Sequence, residues 1–195
     1  MRITSLILAK SHSNRLENKN KRDFCGKPVF LWNVEKLIDV FGECYVSSDG
    51  KEILDMAEKA GATPIGRPER LCGEAPNISV YDYCFEQMKR PDIIVAVQAC
   101  SPTVPKALMK KTKEIMLGGC QELMTVYPIQ WKENYHEQDF KLYGSIWALT
   151  EKRLRTYNDP YKPNPEILLI DNSVDIHTIE DFKLAEKQCR LRQAS

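Results

Sequence analysis

No stretch of this chain is long and apolar enough to span a bilayer, and the N-terminus lacks the apolar core of a secretion signal. The expectation is therefore a cytoplasmic protein with no membrane partner. Paired cysteines are missing as well. The seven thiols, Cys25, Cys44, Cys72, Cys84, Cys100, Cys120 and Cys189, are an odd number without a C-x-x-C pair, which argues against a disulfide framework or a zinc site and leaves reduced core filler. Neither sign of charge is in surplus. With 28 Lys plus Arg against 27 Asp plus Glu, the chain offers no reason to expect bulk nucleic acid as a partner, so any anion binding must be local. Internal repeats, linkers and low-complexity tracts are absent, and so is a glycine-rich run ending in Gly-Lys-Ser/Thr, which excludes a P-loop. A length of 195 residues suits one domain with a full core around a sheet.

What is present alternates between strand and helix patterns. Residues 3–8 form an apolar run of strand length. Val34, Leu37, Ile38 and Phe41 then repeat at helical spacing, with Pro28 placed to open that helix and Gly42 to stop it. Residues 44–47 read as a strand running into Ser48, Asp49 and Gly50, followed by a helix with Ile53, Met56, Ala57 and Ala60 on one face. Residues 63–65 read as a short edge segment. Tyr81, Cys84, Phe85 and Met88 stripe a helix that Asn77 or Ser79 would cap, and the most apolar run, residues 93–97, predicts a central strand buried on both faces. A lysine-rich helix over about 105–117, strands at 123–127, 146–149, 167–170 and 174–177, and a helix capped by Thr178 complete the pattern. Strand, loop, helix in repetition predicts an α/β fold with a mostly parallel sheet.

The loop after the first strand carries the chemistry. Lys10, Arg15, Lys19, Lys21 and Arg22 fall within thirteen positions, interleaved with Ser11, Ser13, Asn14, Asn18 and Asn20. A loop at the carboxyl end of a first strand is where an α/β sheet binds anions; the same composition also fits a solvated basic loop. Near the other end, Asp175 and His177 lie two apart on a segment read as extended, so their side chains share a face.

LAKSHSNRLENKN followed by FCGKP resembles the opening of the acylneuraminate cytidylyltransferases, the family that activates acidic sugars as CMP derivatives. VSSDG, RPERL, VQACSP, YGSIWAL and VDIHTIEDF continue the resemblance, in order, to the end of the chain. It implies a three-layer Rossmann-like nucleotide-diphospho-sugar transferase fold, with helices on both faces of the sheet, as a single domain over 1–195. It also implies a nucleotidyltransferase that moves CMP from CTP to a sugar or sugar acid with release of pyrophosphate and uses Mg²⁺. By the same resemblance Ala9 and Lys10 stand where the family has an Ala-Arg pair, Lys10 and Lys19 bind the triphosphate, Ser13 adds a hydrogen bond, and Asn20 contacts the nucleotide sugar. Lys10, Lys19 and Asp175 form the catalytic set. Arg67 lies near the cytosine with Pro76 and Asn77 at the base-reading turn, Gln98 faces the sugar acid, and Asp175 and His177 hold the metal. Without the resemblance Arg67 reads as a surface loop arginine, Gln98 as a cap on the Ser-Pro turn, and His177 as a neighbour of the helix cap.

The departures are specific. Lysine at position 10 gives up a planar guanidinium fork, which Arg15 is placed to supply. Asn14 replaces the usual lysine or threonine. Histidine at 177 replaces a second aspartate and would shift the metal preference toward Mn²⁺. Lys141 and Tyr143 occupy the places of the arginine and asparagine that grip the sugar, which implies an acceptor other than sialic acid itself. The arm at about 128–143 is shorter than the family's, so a homodimer, if formed, is expected to be weaker or built differently. Two alternatives stay open: a nucleotidyltransferase using another NTP, and a non-catalytic nucleotide-binding protein with a decayed metal site.

Overall fold

Five successive apolar residues from Ile93 have no polar face to offer water, and the chain buries them in β6 (Ile93–Gln98), in the middle of the sheet. The computed structural model describes residues 1–13, 15–73, 75–128, 144–156 and 163–191, with 140–141 and 192–193 in backbone only. β1 (Ile3–Leu8) lies parallel to β6 on one side and to β4 (Cys44–Ser48) on the other, and β5 (Thr63–Gly66) adds the edge beyond β4, where Pro64 is tolerated. On the far side of β6, β9 (Ile146–Thr150) runs antiparallel both to β6 and to β7 (Glu122–Pro128). β10 (Ile167–Ile170) closes that edge parallel to β7, and the short β8 (Phe140–Lys141) pairs with the end of β7.

The pleat sends alternate residues to opposite faces, and each face has its helices. Ile7, Val46 and Val95 pack with α1 (Leu31–Phe41), α2 (Lys51–Lys59) and α4 (Lys106–Leu117). Leu6, Ile94 and Trp147 pack with α3 (Asn77–Gln87) and α5 (Glu151–Arg155). Helices on both faces of a mostly parallel sheet are the expected three-layer architecture. A third cluster joins the ends of the chain. Phe24, in a hairpin of β2 (Asp23–Phe24) and β3 (Lys27–Pro28), meets Phe182 of α6 (Ile179–Gln193) edge-on at 5.6 Å between ring centroids, and Trp32 edge-on at 6.0 Å. This packing brings residues 174–177 beside the basic loop.

Three local expectations are corrected. Pro28 does not open α1; it is paired with Asp23 in the hairpin, and the helix begins three residues later. Neither Asn77 nor Ser79 caps α3, whose N-terminal neighbour is Pro76, with no capping side-chain bond. Residues 174–177 form no strand. Three of their backbone N–H groups are satisfied individually instead, Val174 by Thr103 Oγ1 at 3.0 Å, Ile176 by the Cys100 carbonyl at 3.0 Å and His177 by Asp181 Oδ2 at 2.9 Å. Thr178 caps α6 as expected: its hydroxyl accepts from Asp181 N at 3.2 Å while Asp181 Oδ2 accepts from Thr178 N at 2.8 Å, a reciprocal capping box.

Candidate active site

The basic loop is pinned to the sheet before it reaches solvent. Ala9 N donates to the Ser47 carbonyl at 2.9 Å and Ser11 N to Asp49 Oδ1 at 2.7 Å. Asp49 follows β4, where Gly50 lets the loop approach: a Cβ on Gly50 would stand 2.5 Å from the Ser11 Cβ. Burial raises the Asp49 pKa, but hydrogen bonds from Ser11 and from its own backbone N–H, with the Arg67 charge, outweigh it and hold the carboxyl below its ordinary value, so it is ionised at neutral pH. From the other end of the loop, Asn20 Nδ2 donates to the Lys10 carbonyl at 2.9 Å, while Asn20 Oδ1 is buried with no protein partner. Lys19 Nζ donates to the Ile176 carbonyl at 2.7 Å, which ties the loop to the segment before α6 and leaves two of the ammonium's three N–H donors.

These contacts build one cleft of about 580 Å³ at the carboxyl ends of β1, β4, β5 and β6, the size of a small-molecule site and the place an α/β sheet puts one. Of the residues singled out from the sequence, Lys10, Ser13, Arg15, Lys19, Asn20, Arg67, Asn77, Gln98 and His177 all line it. Ala9 is fully buried behind the loop, and Pro76 stands at the start of α3 outside the lining. Lys141 lies in β8, paired with Tyr127, while Asn14, His136, Tyr143 and most of the 128–143 arm on which the dimer expectation rests lie outside the described residues.

Arg67 is no surface stacker. Its Nε and Nη2 donate to the Ser47 hydroxyl at 3.2 Å and the Ser47 carbonyl at 2.9 Å, and burial pushes its pKa down, with the Asp49 charge opposing that shift. Gln98 reaches both ways, and its Oε1 accepts from Cys100 Sγ at 3.5 Å in the turn before Ser101 and Pro102. Its Nε2 crosses the cleft wall to the Gly144 carbonyl at 3.0 Å, joining β6 to the entry of β9. Two α1 side chains hold the loop after Gln98: Asn33 Nδ2 donates to the Gln98 and Ser101 carbonyls at 3.0 and 2.9 Å, and Lys36 Nζ to those of Pro102 and Val104 at 2.6 and 2.9 Å.

Gly144 is dictated by space, since a Cβ there would lie 2.4 Å from Thr125 Oγ1 and 2.5 Å from the Thr125 carbonyl carbon. Gly144→Ala is expected to cost about 1–3 kcal/mol in a denaturant titration, as overpacking does, and to move the acceptor of Gln98. A stability loss below about 0.5 kcal/mol would show that the strand entry yields freely.

Asp175 sits just behind the cleft wall, its side chain only 10% exposed. Oδ2 is 2.7 Å from His177 Nε2, and Oδ1 accepts from Cys100 Sγ at 3.2 Å. Burial, reinforced by the Asp175 carboxylate, pushes the Cys100 thiol up to about 12, so it remains a thiol at neutral pH and is no nucleophile. Asp175 and His177 therefore do share a face, although no strand carries them. Asp49 and Trp147 were missed from sequence. Asp49 was detectable as the carboxylate at the end of the second parallel strand, whereas nothing distinguished Trp147 from an ordinary strand aromatic.

Residues 4–118 match the family model for cytidylyltransferases. The chain belongs to the cytidylyltransferase family. It is 29% identical over 231 residues to a CMP-N,N'-diacetyllegionaminic acid synthase of Legionella pneumophila, covering 99% of this chain and 98% of the relative. It is 25% identical to a pseudaminic acid cytidylyltransferase of Campylobacter jejuni, covering 95% of each. Among solved structures, CMP:2-keto-3-deoxy-manno-octonic acid synthetase complexed with CTP superposes with a TM-score of 0.77 at 15% identity over all of both chains, a likeness of fold. The family read from the basic loop and the fold it implied are both borne out.

Proposed function

We propose that this cytidylyltransferase transfers CMP from CTP to a hydroxyl of a sugar acid: the acceptor oxygen gives up its proton to solvent and bonds to the α-phosphorus, the bond to the bridging oxygen breaks, and pyrophosphate leaves. The observation that carries the reading is a single cleft in which Lys10, Arg15, Lys19 and Arg67 gather at the strand ends of a chain whose relatives are named for CMP-sugar-acid synthesis. Lysine and arginine there oppose the charge of a triphosphate and of the departing pyrophosphate. Ser13 adds a donor, and the buried, unpartnered Asn20 Oδ1 is an acceptor for a ribose hydroxyl. Arg67 and Asn77 face the base, and Gln98, fixed between β6 and β9, faces the acceptor. No helix among the described residues is long and apolar enough to cross a membrane.

A divalent cation belongs to this proposal. No group of three or more His, Cys, Asp or Glu side chains able to hold a metal occurs among the described residues, so such an ion would take most of its ligands from phosphate and water. That suits Mg²⁺, which keeps several waters and needs one or two protein carboxylates, and Asp175 offers a hard oxygen beside the cation-lined cleft. Bound there, the ion would neutralise charge developing on the phosphates. His177 has both ring nitrogens engaged, Nδ1 with Arg15 and Nε2 with Asp175.

CTP is expected to bind more tightly than UTP, ATP or GTP, and Lys19→Ala should weaken it by about 1.5–3 kcal/mol, the worth of a charged hydrogen bond to phosphate. Calorimetric titration with the four triphosphates decides this. Equal or tighter binding of a purine triphosphate favours the reading as a transferase of another nucleotide, and CTP binding without pyrophosphate release across a panel of sugar acids favours a non-catalytic binder.

A further inference from the structure

We propose that His177 is a positioning residue that docks Arg15 over the triphosphate site, so that Arg15 supplies the guanidinium fork that Lys10 lacks. Arg15 Nη1 lies 3.1 Å from His177 Nδ1, across 162 residues of chain. A guanidinium can only donate, so Nδ1 accepts and is unprotonated. The proton of the neutral imidazole is then on Nε2, where it is donated to Asp175 Oδ2 at 2.7 Å. The polarity is consistent along the whole row: arginine donates to imidazole, and imidazole donates to carboxylate. The peptide that carries His177 is fixed independently, by the Asp181 carboxylate on His177 N at 2.9 Å and by Lys19 on the Ile176 carbonyl at 2.7 Å.

An imidazole suits this task better than a carboxylate. Aspartate at 177 would pair with Arg15 and neutralise it, competing with phosphate for the same N–H groups, whereas a neutral imidazole holds one N–H and leaves the charge and four donors for the ligand. His177 is the sole hydrogen-bond partner of Arg15 among the described residues, and both line the cleft. The substitutions at positions 10 and 177 thereby become one arrangement: the fork is lost from the strand end and returned from the loop, seated on the histidine.

The inference rests on the CTP reading, and the test separates the two. CTP and CMP affinities are measured by calorimetry in EDTA for wild type, Arg15→Ala, His177→Ala, the double variant and His177→Asn, whose amide oxygen can accept from Arg15. Arg15→Ala is expected to weaken CTP about 10- to 100-fold and His177→Ala about 5- to 10-fold, with the double no worse than Arg15→Ala. CMP affinity should be unchanged throughout, which a general loosening of the site would not allow, and His177→Asn should recover part of the loss. Additive losses, or a His177→Ala variant that binds metal-free CTP normally while needing more Mg²⁺ for turnover, would overturn the inference and make His177 independent of Arg15 or a metal ligand. A wild type that binds no CTP removes the cytidylyl reading and this inference together.

Discussion

Arg153→Ala is expected to cost this chain about 3–5 kcal/mol of folding stability, far more than a half-exposed arginine normally carries, because it removes the charged donor from a buried carboxylate. Glu122 is fully buried at the start of β7. Its Oε2 accepts from Arg153 Nε at 2.7 Å and its Oε1 from Trp147 Nε1 at 3.0 Å. The pair itself is weak evidence of net stabilisation, since desolvating both ions offsets their attraction; removing the arginine alone takes the charged donor from Oε2 while the carboxylate stays buried, so part of its desolvation is no longer offset. For a chain of this size the loss corresponds to a fall in Tm of roughly 6–20 °C. Glu122→Gln in the same protein should restore much of it, because a neutral amide still accepts from Trp147 and no longer needs a countercharge. Denaturant melts of the two single variants and the double decide the matter, and a loss under 1 kcal/mol for Arg153→Ala would mean that water reaches Glu122. Trp147 lines the cleft and packs edge-on against Tyr81 at 5.5 Å, so the same variant should also raise the KM for the acceptor.

The order of strands and helices was legible because each core element shows a burial period. Residues 93–97, apolar without interruption, had to lie between two covered faces, and the stripes of α1, α2 and α3 had only one face to bury. The errors fell where local geometry is set by something other than periodicity. The β2–β3 hairpin turns on Cys25 and Gly26 at φ of 50° and 94°, a turn usually announced by Asn-Gly or Asp-Gly; without that signal Pro28 looks like a helix opener. Residues 174–177 have strand composition but no ladder, because Thr103, Cys100 and Asp181 satisfy their amides one at a time. α5, five residues long, is too short to show a stripe. In the site, the cations were legible from their density in one loop, but what holds them was not: Asp49 under Ser11, the Ile176 carbonyl on Lys19 and His177 on Arg15 are contacts between residues 38 to 162 positions apart.

Asp175→Asn is expected to lower turnover by about 10³-fold while leaving metal-free CTP affinity unchanged or slightly improved. The substitution keeps the shape and an oxygen that can still accept from His177 Nε2, so the seat of Arg15 survives; what disappears is the negative charge offered to a divalent cation. Loss of a group that holds charge stabilisation at the reacting phosphate is worth several kcal/mol in the barrier, and each 1.36 kcal/mol is a factor of ten in rate. A carboxylate beside a triphosphate repels it when no cation intervenes, which is why affinity in EDTA should not fall. Alanine at 175 is the less informative variant, because it also releases His177 and would weaken CTP through Arg15. Histidine at 177 is the control for metal identity: if Asp175 is the protein's carboxylate for the ion and His177 only orients Arg15, the ratio of rates in Mn²⁺ and Mg²⁺ stays the same in wild type, His177→Ala and His177→Asp. Single-turnover pyrophosphate release in each metal, with calorimetry in EDTA, measures both halves. An Asp175→Asn enzyme within tenfold of the wild-type rate would show that the ion, if used, is held by the phosphates without Asp175, and a Mn²⁺ preference abolished by His177→Asp would return the imidazole to the metal.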